Sequence, residues 1–433
     1  MVCMFFILNS CETDFDNPNS ATDEETFSSR EGILAASVGL QQLYSTNGVR
    51  FIVETPAITT REGGITTTFQ NMIELEDGGQ ALPNFNSNVQ GLWSTMLRVI
   101  KIAEDIEENV QKIELEPGTR SGLIAHAKLF KALSIGALVY NYEQVVIETN
   151  SNNNAEFVSR ETALQNVINL LNDANTEINT NPISDEFKNS VTLNNINIPN
   201  TINASLARFN LLAGNYEDAI SSANDVNMSS TSNFVYDNIN LNPIWERVFL
   251  NDSPNFKPRD NFGLPSDFVF NSDDGRLSFY LVPLDETNQN GLPIENLAGF
   301  FNESTKSIPV YIPDEMNLII AEANVRKANT DLAAATQALN EVLTDTNDPL
   351  GINADTSSYN GSNTEDALLK EIYKNRRAEL FLTGLSLEDS RRFNRPEPSG
   401  DSMNYDEERN RNFYPYPDIE RNSNPSTPND PQI

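Results

Sequence analysis

Apolar residues recur at helical spacing along most of this chain, and residues 202–226 (INASLARFNLLAGNYEDAISSANDV) show the tightest form of the pattern. Ala204 and Ala207 place small side chains on one face, Gly214-Asn215-Tyr216 interrupts the periodicity, and Ala219 returns a small side chain on the far side of the turn. Small residues on both sides of a short turn let two antiparallel helices approach closely. A chain built this way buries its core between helix pairs.

The Gly-x-Tyr-x-x-Ala turn resembles a tetratricopeptide repeat. A weaker copy follows at residues 321–343, with Asn329 in the turn and Leu332 and Ala335 at the spacing of Tyr216 and Ala219. The interval between the copies is too long for a regular array. Further helices are expected over residues 28–46, with Ser28 or Ser29 as N-cap, and over 88–112, 119–141 and 159–179, the last capped by Ser159. The final pair is expected over 364–384 and 386–393. Residues 48–87 and 228–311 read as non-helical, rich in Gly, Pro, Asn, Asp and aromatic residues. Loops of that length in a compact domain are commonly functional, and their aromatic content argues against disorder. From Pro396 onward the tail is expected to be extended and to wrap the surface.

The chemistry available is narrow. Cys3 and Cys11 are the two cysteines, so the body holds no disulfide or thiolate metal site. His126 is the one histidine and lies in an apolar helical stretch beside Leu123, Ala127 and Phe130, where it reads as a packed structural residue. No GxGxxG, P-loop, HExxH or GxSxG motif is present. Acidic pairs are too numerous to point to a hydrolase cleft, since 62 acidic residues face 29 basic ones. The resulting net charge of −33 repels nucleic acid. Asn271-Ser272-Asp273-Asp274-Gly275 lacks the alternating ligands of a calcium loop and reads as a turn. No cofactor is called for; a structural calcium ion is left open.

Residues 2–8 (VCMFFIL) have the length of a short signal-peptide core, and Leu8-Asn9-Ser10-Cys11 follows. A leucine three residues before a cysteine resembles the bacterial lipobox, in which the peptide is cut before the cysteine and its thiol receives lipid. Residues 1–10 then form a signal peptide, Cys11 the lipid anchor, and residues 11–27 an acidic tether ahead of a single domain over 28–433.

Several stretches, in order, resemble the SusD/RagB family of outer-membrane nutrient-binding lipoproteins. They are CETDFD after the cysteine, GLWSTMLRVIKIAEDI with an early Trp93, INASLARFNLLAGNYEDAISSA, and PVYIPDEMNLIIAEANVRKA. HAKLFKALSIGALVYNY is a looser match. KEIYKNRRAELFLTGLSLEDSRRF keeps Arg376 or Arg377, Glu379, Leu380, Gly384, Asp389 and Arg392 of a family signature, with Thr383 and Ser386 departing from it. NFYPYPDIERNSNP resembles the closing motif. The resemblance implies a mainly α, SusD-like fold, with tetratricopeptide-like helix pairs as scaffold and irregular segments on one side. It implies a lipid-anchored protein at the surface of the outer membrane that passes an oligosaccharide or polysaccharide to a SusC-like TonB-dependent transporter and has no catalytic activity. A peptide or other nutrient, or a protein-binding scaffold role, are the alternatives. The Arg/Glu signature is expected to be structural.

Capture of a glycan needs flat rings for sugar C–H faces and polar groups for hydroxyls. Trp93 lies on a helical stripe and belongs to the core. Trp245, in the long loop segment, is the leading stacking residue, followed by Phe69, Phe85, Phe262 and Tyr280; Arg61, Glu62, Asn84 and Asp260 are the polar candidates.

Overall fold

The computed structural model describes residues 26–149, 154–250 and 254–433. The signal peptide, Cys11 and nearly all of the tether lie outside those residues. Phe27, assigned to the tether, already packs against the core.

Ser29 caps α1 (Arg30–Leu43) by accepting a bond from Gly32 N, and a π turn (Tyr44–Gly48) leads into α2 (Val49–Thr59). Strand β1 (Gly63–Ile65) and α3 (Gln70–Asp77) follow, so the expectation that 48–87 is non-helical fails for its two helices. The reason is burial. Every residue of α2 except Arg50 and Phe51 is buried, so no polar face marks it, and Pro56 sits inside it. Proline leaves the Ile52 carbonyl without its helix donor. Gly384, at φ +86°, lies so close that a Cβ there would be 2.5 Å from that oxygen, which explains the glycine of the Thr383-Gly384 pair.

Next come α4 (Ser87–Asn109) and α5 (Pro117–Asn141), both close to the expected spans. Helix α5 is long and apolar enough to cross a membrane, but it is buried here on nearly all sides by α4 and α6 (Arg160–Thr180). A two-stranded ribbon of three residue pairs, β2 (Gln144–Val146) against β3 (Phe157–Ser159), lies between α5 and α6.

His126 on α5 has no exposed surface. Its Nδ1 lies 2.9 Å from Ser37 Oγ and its Nε2 3.1 Å from Gln41 Oε1, both on α1. Burial pushes the imidazole down to about 3. The unfolded chain binds this proton near pH 6.5 and the folded chain does not. The neutral ring therefore favours the fold fully above pH 6.5, and that contribution is lost as pH falls from 6.5 toward 3. At pH 4.5 the loss is about 2–3 kcal/mol. Urea unfolding at pH 7 and 4.5 checks it: the stability gap between wild type and His126→Gln should narrow by that amount, and a gap independent of pH would contradict the reading.

The expected hairpin is present as α7 (Ile198–Leu212) and α8 (Tyr216–Asn224), with Gly214 at φ +78° in the turn. Residues 228–311 carry mostly short elements: β4 (Asn233–Phe234), α9 (Pro243–Phe249), β5 (Phe256–Pro258) and α10 (Gly275–Tyr280). A hairpin of β6 (Leu281–Thr287) and β7 (Pro293–Leu297) and strand β8 (Ile308–Pro309) complete them. Strand β1 pairs with β5 and β4 with β8, both antiparallel, so the first ladder pins this segment to the end of α2 and the second joins the segment's own two ends. Asp274 caps α10 through Arg276 N, so Asn271–Gly275 is the expected turn.

The second helix pair is α11 (Asp314–Arg326) with α12 (Leu332–Leu343). It stacks on the first although the segment 228–311 separates them: Ala204, Ala207, Ala219 and Ala223 meet Met316, Ile319 and Ala323 in one cluster. Helix α13 (Glu365–Glu379) extends the stack through Leu368 and Ile372 against Leu318 and Leu339. Helix α14 (Ser386–Arg392) and α15 (Asp418–Ser423) end the chain.

The tail does more than wrap the surface. Tyr414 and Tyr416 are fully buried, and Tyr416 closes an aromatic cage with Tyr142 and Phe157 around Trp93. Trp93 Nε1 donates to Glu420 at 3.0 Å, so the PYPDIE motif docks on the early tryptophan, which is core as expected.

Candidate ligand-binding surface

The buried Glu54 of α2 organises the region that carries most of the exposed aromatic candidates. Its Oε1 accepts from Arg247 Nε on α9 at 2.9 Å and from Asn255 Nδ2 at 3.3 Å. Its Oε2 accepts from Asn88 Nδ2 on α4 at 3.1 Å, and Arg50 Nε lies 3.7 Å away. Asn71 on α3 donates to Asn88 Oδ1 at 2.5 Å. One carboxylate thus fixes α2, α3, α4 and α9 relative to one another; a charge-assisted bond of this kind is roughly twice as strong as a neutral one. Burial lowers the Arg50 guanidinium and the neighbouring Arg247 lowers it further, while Glu54 works in the opposite direction.

Phe69 precedes α3 and is 56% exposed; Phe85 precedes α4 and is 61% exposed. Their segments are tied by Asn86, whose side chain donates to Asn71 O and Glu74 Oε2, each at 2.9 Å, and accepts from Asn88 N and Val89 N as the cap of α4. Asn84, half-buried beside Phe85, uses its carbonyl to hold Asp418 N at 3.1 Å. Trp245 stands half-buried on α9, whose cap Asn242 accepts from Ile244 N and Trp245 N and donates to Phe300 O and Lys306 O. Phe249 and Leu250 add exposed apolar surface at the end of the same helix. Bonds of Asn86, Asn88 and Arg247 thus link the segments that carry Phe69, Phe85 and Trp245 into one frame, while Asn84 is bonded to the tail at Asp418. Exposed rings held rigidly beside amides and guanidinium groups can stack on an apolar face of a ligand and bond its hydroxyls.

Asp260 is partly exposed, but it follows β5 beside Arg259 at 3.6 Å and is not bonded to the Glu54 frame. Four candidates are corrected. Phe262 is fully buried, edge-on to Phe270 and Phe381. Tyr280 is fully buried, with its hydroxyl donating to Glu379 O at 3.4 Å. Arg61 is buried and donates to the carbonyls of Glu76 at 2.8 Å and Asn404 at 3.0 Å. Glu62 is buried 3.8 Å from Arg377, with burial raising its carboxyl. All four pack irregular segments onto the body of the protein, and Arg61 also satisfies backbone carbonyls there. The frame residues Glu54, Arg247, Asn88 and Asn71 escaped the sequence reading; a lone glutamate within the apolar run VRFIVETPAI was the one available signal.

The Arg/Glu signature is structural, as expected. Arg376 holds Asp389 at 2.8 and 3.1 Å, and Arg392 contacts both Asp389 and Glu322, joining α11, α13 and α14. Burial pushes the Asp389 carboxyl up, but Arg376 and Arg392 outweigh it and hold it below its usual range.

No protein-family model matches the chain, and no curated relative does. Solved structures do. A SusD superfamily protein from Bacteroides thetaiotaomicron superposes with a TM-score of 0.71 at 16% identity, covering 93% of this chain and 100% of the other. A SusD-like carbohydrate binding protein from Bacteroides fragilis gives 0.69 at 13%, covering 93% and 99%. Another SusD-like carbohydrate binding protein, from Bacteroides vulgatus, gives 0.61 at 14%, covering 83% of each chain. With its stacked helix pairs, its long irregular segments and these superpositions, the chain has the SusD-like fold.

Proposed function

We propose that this protein is a glycan-binding lipoprotein of the outer-membrane surface that hands its ligand to a SusC-like TonB-dependent transporter. The observation that carries the reading is the likeness, over nearly the whole chain, to proteins described as SusD-like carbohydrate binding proteins. The exposed aromatic surface framed by Glu54 supports it, because rigid rings beside polar groups suit sugar faces. The protein binds and does not cleave. Its net charge of −33 favours a neutral or basic glycan over a polyanionic one. Calorimetry or gel retardation against a panel of plant and algal polysaccharides tests the binding; silence across the panel together with a tight peptide response would overturn it in favour of peptide uptake. Co-purification of a TonB-dependent barrel with the tagged protein tests the partner.

The anchor has its own test. Cys11→Ala is expected to leave the melting temperature unchanged and to abolish both metabolic labelling with a fatty-acid analogue and recovery in the membrane fraction. A variant still labelled by lipid would contradict the assignment of Cys11.

A further inference from the structure

Away from the aromatic surface, three carboxylates converge from two parts of the chain. Asp314 opens α11, and Asp345 and Asp348 lie on the loop after α12. One oxygen from each lies within 4.8 Å of the others. Asp348 uses Oδ1 to accept from Leu350 N at 2.7 Å and Ile352 N at 3.1 Å, and Asp314 uses Oδ1 to accept from Asn317 Nδ2 at 3.0 Å. The second oxygen of each, Oδ2, is buried without a hydrogen-bond partner. Asp314 is 5% exposed, so its idle oxygen is shielded from bulk water.

A fourth acid shares the field of Asp314. Glu379, at the end of α13, is fully buried and its Oε1 also lacks a partner. Burial raises its carboxyl, and the charge of Asp314 raises it further. Arg276 is a positive charge that reaches Asp314. That guanidinium is already committed to Asp274 at 2.8 and 3.0 Å, Asn375 at 2.7 Å and Glu379 at 3.4 Å. Buried acids with idle oxygens and one shared guanidinium leave negative charge uncompensated, which a protein interior tolerates only if a proton or a cation neutralises it. The helix dipole at the start of α11 is too weak an influence to do so.

We propose that Asp314, Asp345 and Asp348 bind a hard divalent cation of the calcium class, which fastens the loop 344–355 to the start of α11. The donors are carboxylate oxygens without nitrogen or sulfur, a set that suits calcium or magnesium and not zinc. Calcium is favoured because it accepts irregular oxygen sets, whereas magnesium demands near-octahedral geometry. The site has a mechanical consequence. The loop it fastens carries Ala354, whose carbonyl accepts Gly275 N at 3.0 Å at the start of α10. The cation would therefore stabilise the late helix pair together with the segment leading to the β6–β7 hairpin.

The full chain, freed of metal with a chelator, is titrated with calcium chloride and separately with magnesium chloride by calorimetry, and melted with and without each. One calcium per chain and a raised melting temperature are expected. Asp345→Asn, at a half-exposed position that leaves the core intact, should weaken calcium about tenfold, and Asp348→Asn at least as much. Asp273→Asn, an exposed acid in the turn before α10, should bind calcium as wild type does. Absence of calcium heat together with a melting temperature indifferent to chelator would overturn the proposal. So would full binding by both the Asp345 and Asp348 variants, which would place the cation elsewhere.

Discussion

Replacing Arg392 with alanine is expected to cost about 3–5 kcal/mol of stability, the largest effect of any single charged residue discussed here. Its guanidinium contacts Glu322 on α11 and Asp389 on its own helix, and Arg376 on α13 holds the same aspartate from the other side. Glu322 is fully buried and also receives Arg326 Nε at 2.6 Å. Removing Arg392 leaves Glu322 with one cation and Asp389 with one, in surroundings where water cannot take over. The side-chain tie between α14 and α11 is lost, while Arg376 still holds α13 to α14. Denaturant unfolding measures the loss, with Lys101→Ala as the contrast. Lys101 pairs with Asp105 on an exposed face and its removal should cost less than about 0.5 kcal/mol. Arg392→Lys should recover only part of the loss, because an ammonium cannot present a planar fork to two carboxylates. A loss below about 1 kcal/mol for Arg392→Ala would contradict the network as described.

The double variant Phe69→Ala/Phe85→Ala is expected to weaken glycan binding about 100-fold while leaving the fold intact. Each exposed ring that stacks on a sugar contributes on the order of 1–1.5 kcal/mol, about tenfold in affinity. Neither ring is part of the core, so the melting temperature should hold. Trp245→Ala should weaken binding by a similar factor with some loss of stability, since that ring is half-buried. Phe262→Ala serves as the opposite control: it empties a buried position and should cost about 3–5 kcal/mol of stability. Equal affinity for wild type and double variant would remove this surface from the binding role.

The helices were readable because capping and periodicity are local. Ser29 and Ser159 cap the helices they were expected to cap, and α4, α5 and α6 fall close to their expected spans. The resemblance marked Arg376, Asp389 and Arg392 as a structural signature; Asp389 and Arg392 lie one turn apart on α14, and Arg376 reaches Asp389 from α13. Helix α2 was missed because burial on almost every side erased its polar stripe. The tail was misjudged because Tyr414 and Tyr416 look like any aromatic residues of an irregular stretch until Trp93 and Tyr142 are brought to meet them.

Among the ligand candidates the sequence could name residue types but not their surroundings. Phe85 and Phe262 are both phenylalanines in segments without long periodic helices. One is 61% exposed and the other is packed against Phe270 and Phe381. Arg61 and Arg50 are both arginines near α2, yet Arg61 spends its donors on backbone carbonyls contributed by residues 76 and 404. Local pattern by itself determined the amphipathic helices, their caps and the helical hairpins, though not the buried α2, since those depend on neighbours three and four positions away. Which rings face solvent, which acids share Glu54's frame and which meet around Asp314 were decided only by the tertiary structure, because exposure and pairing depend on groups that arrive from hundreds of residues away.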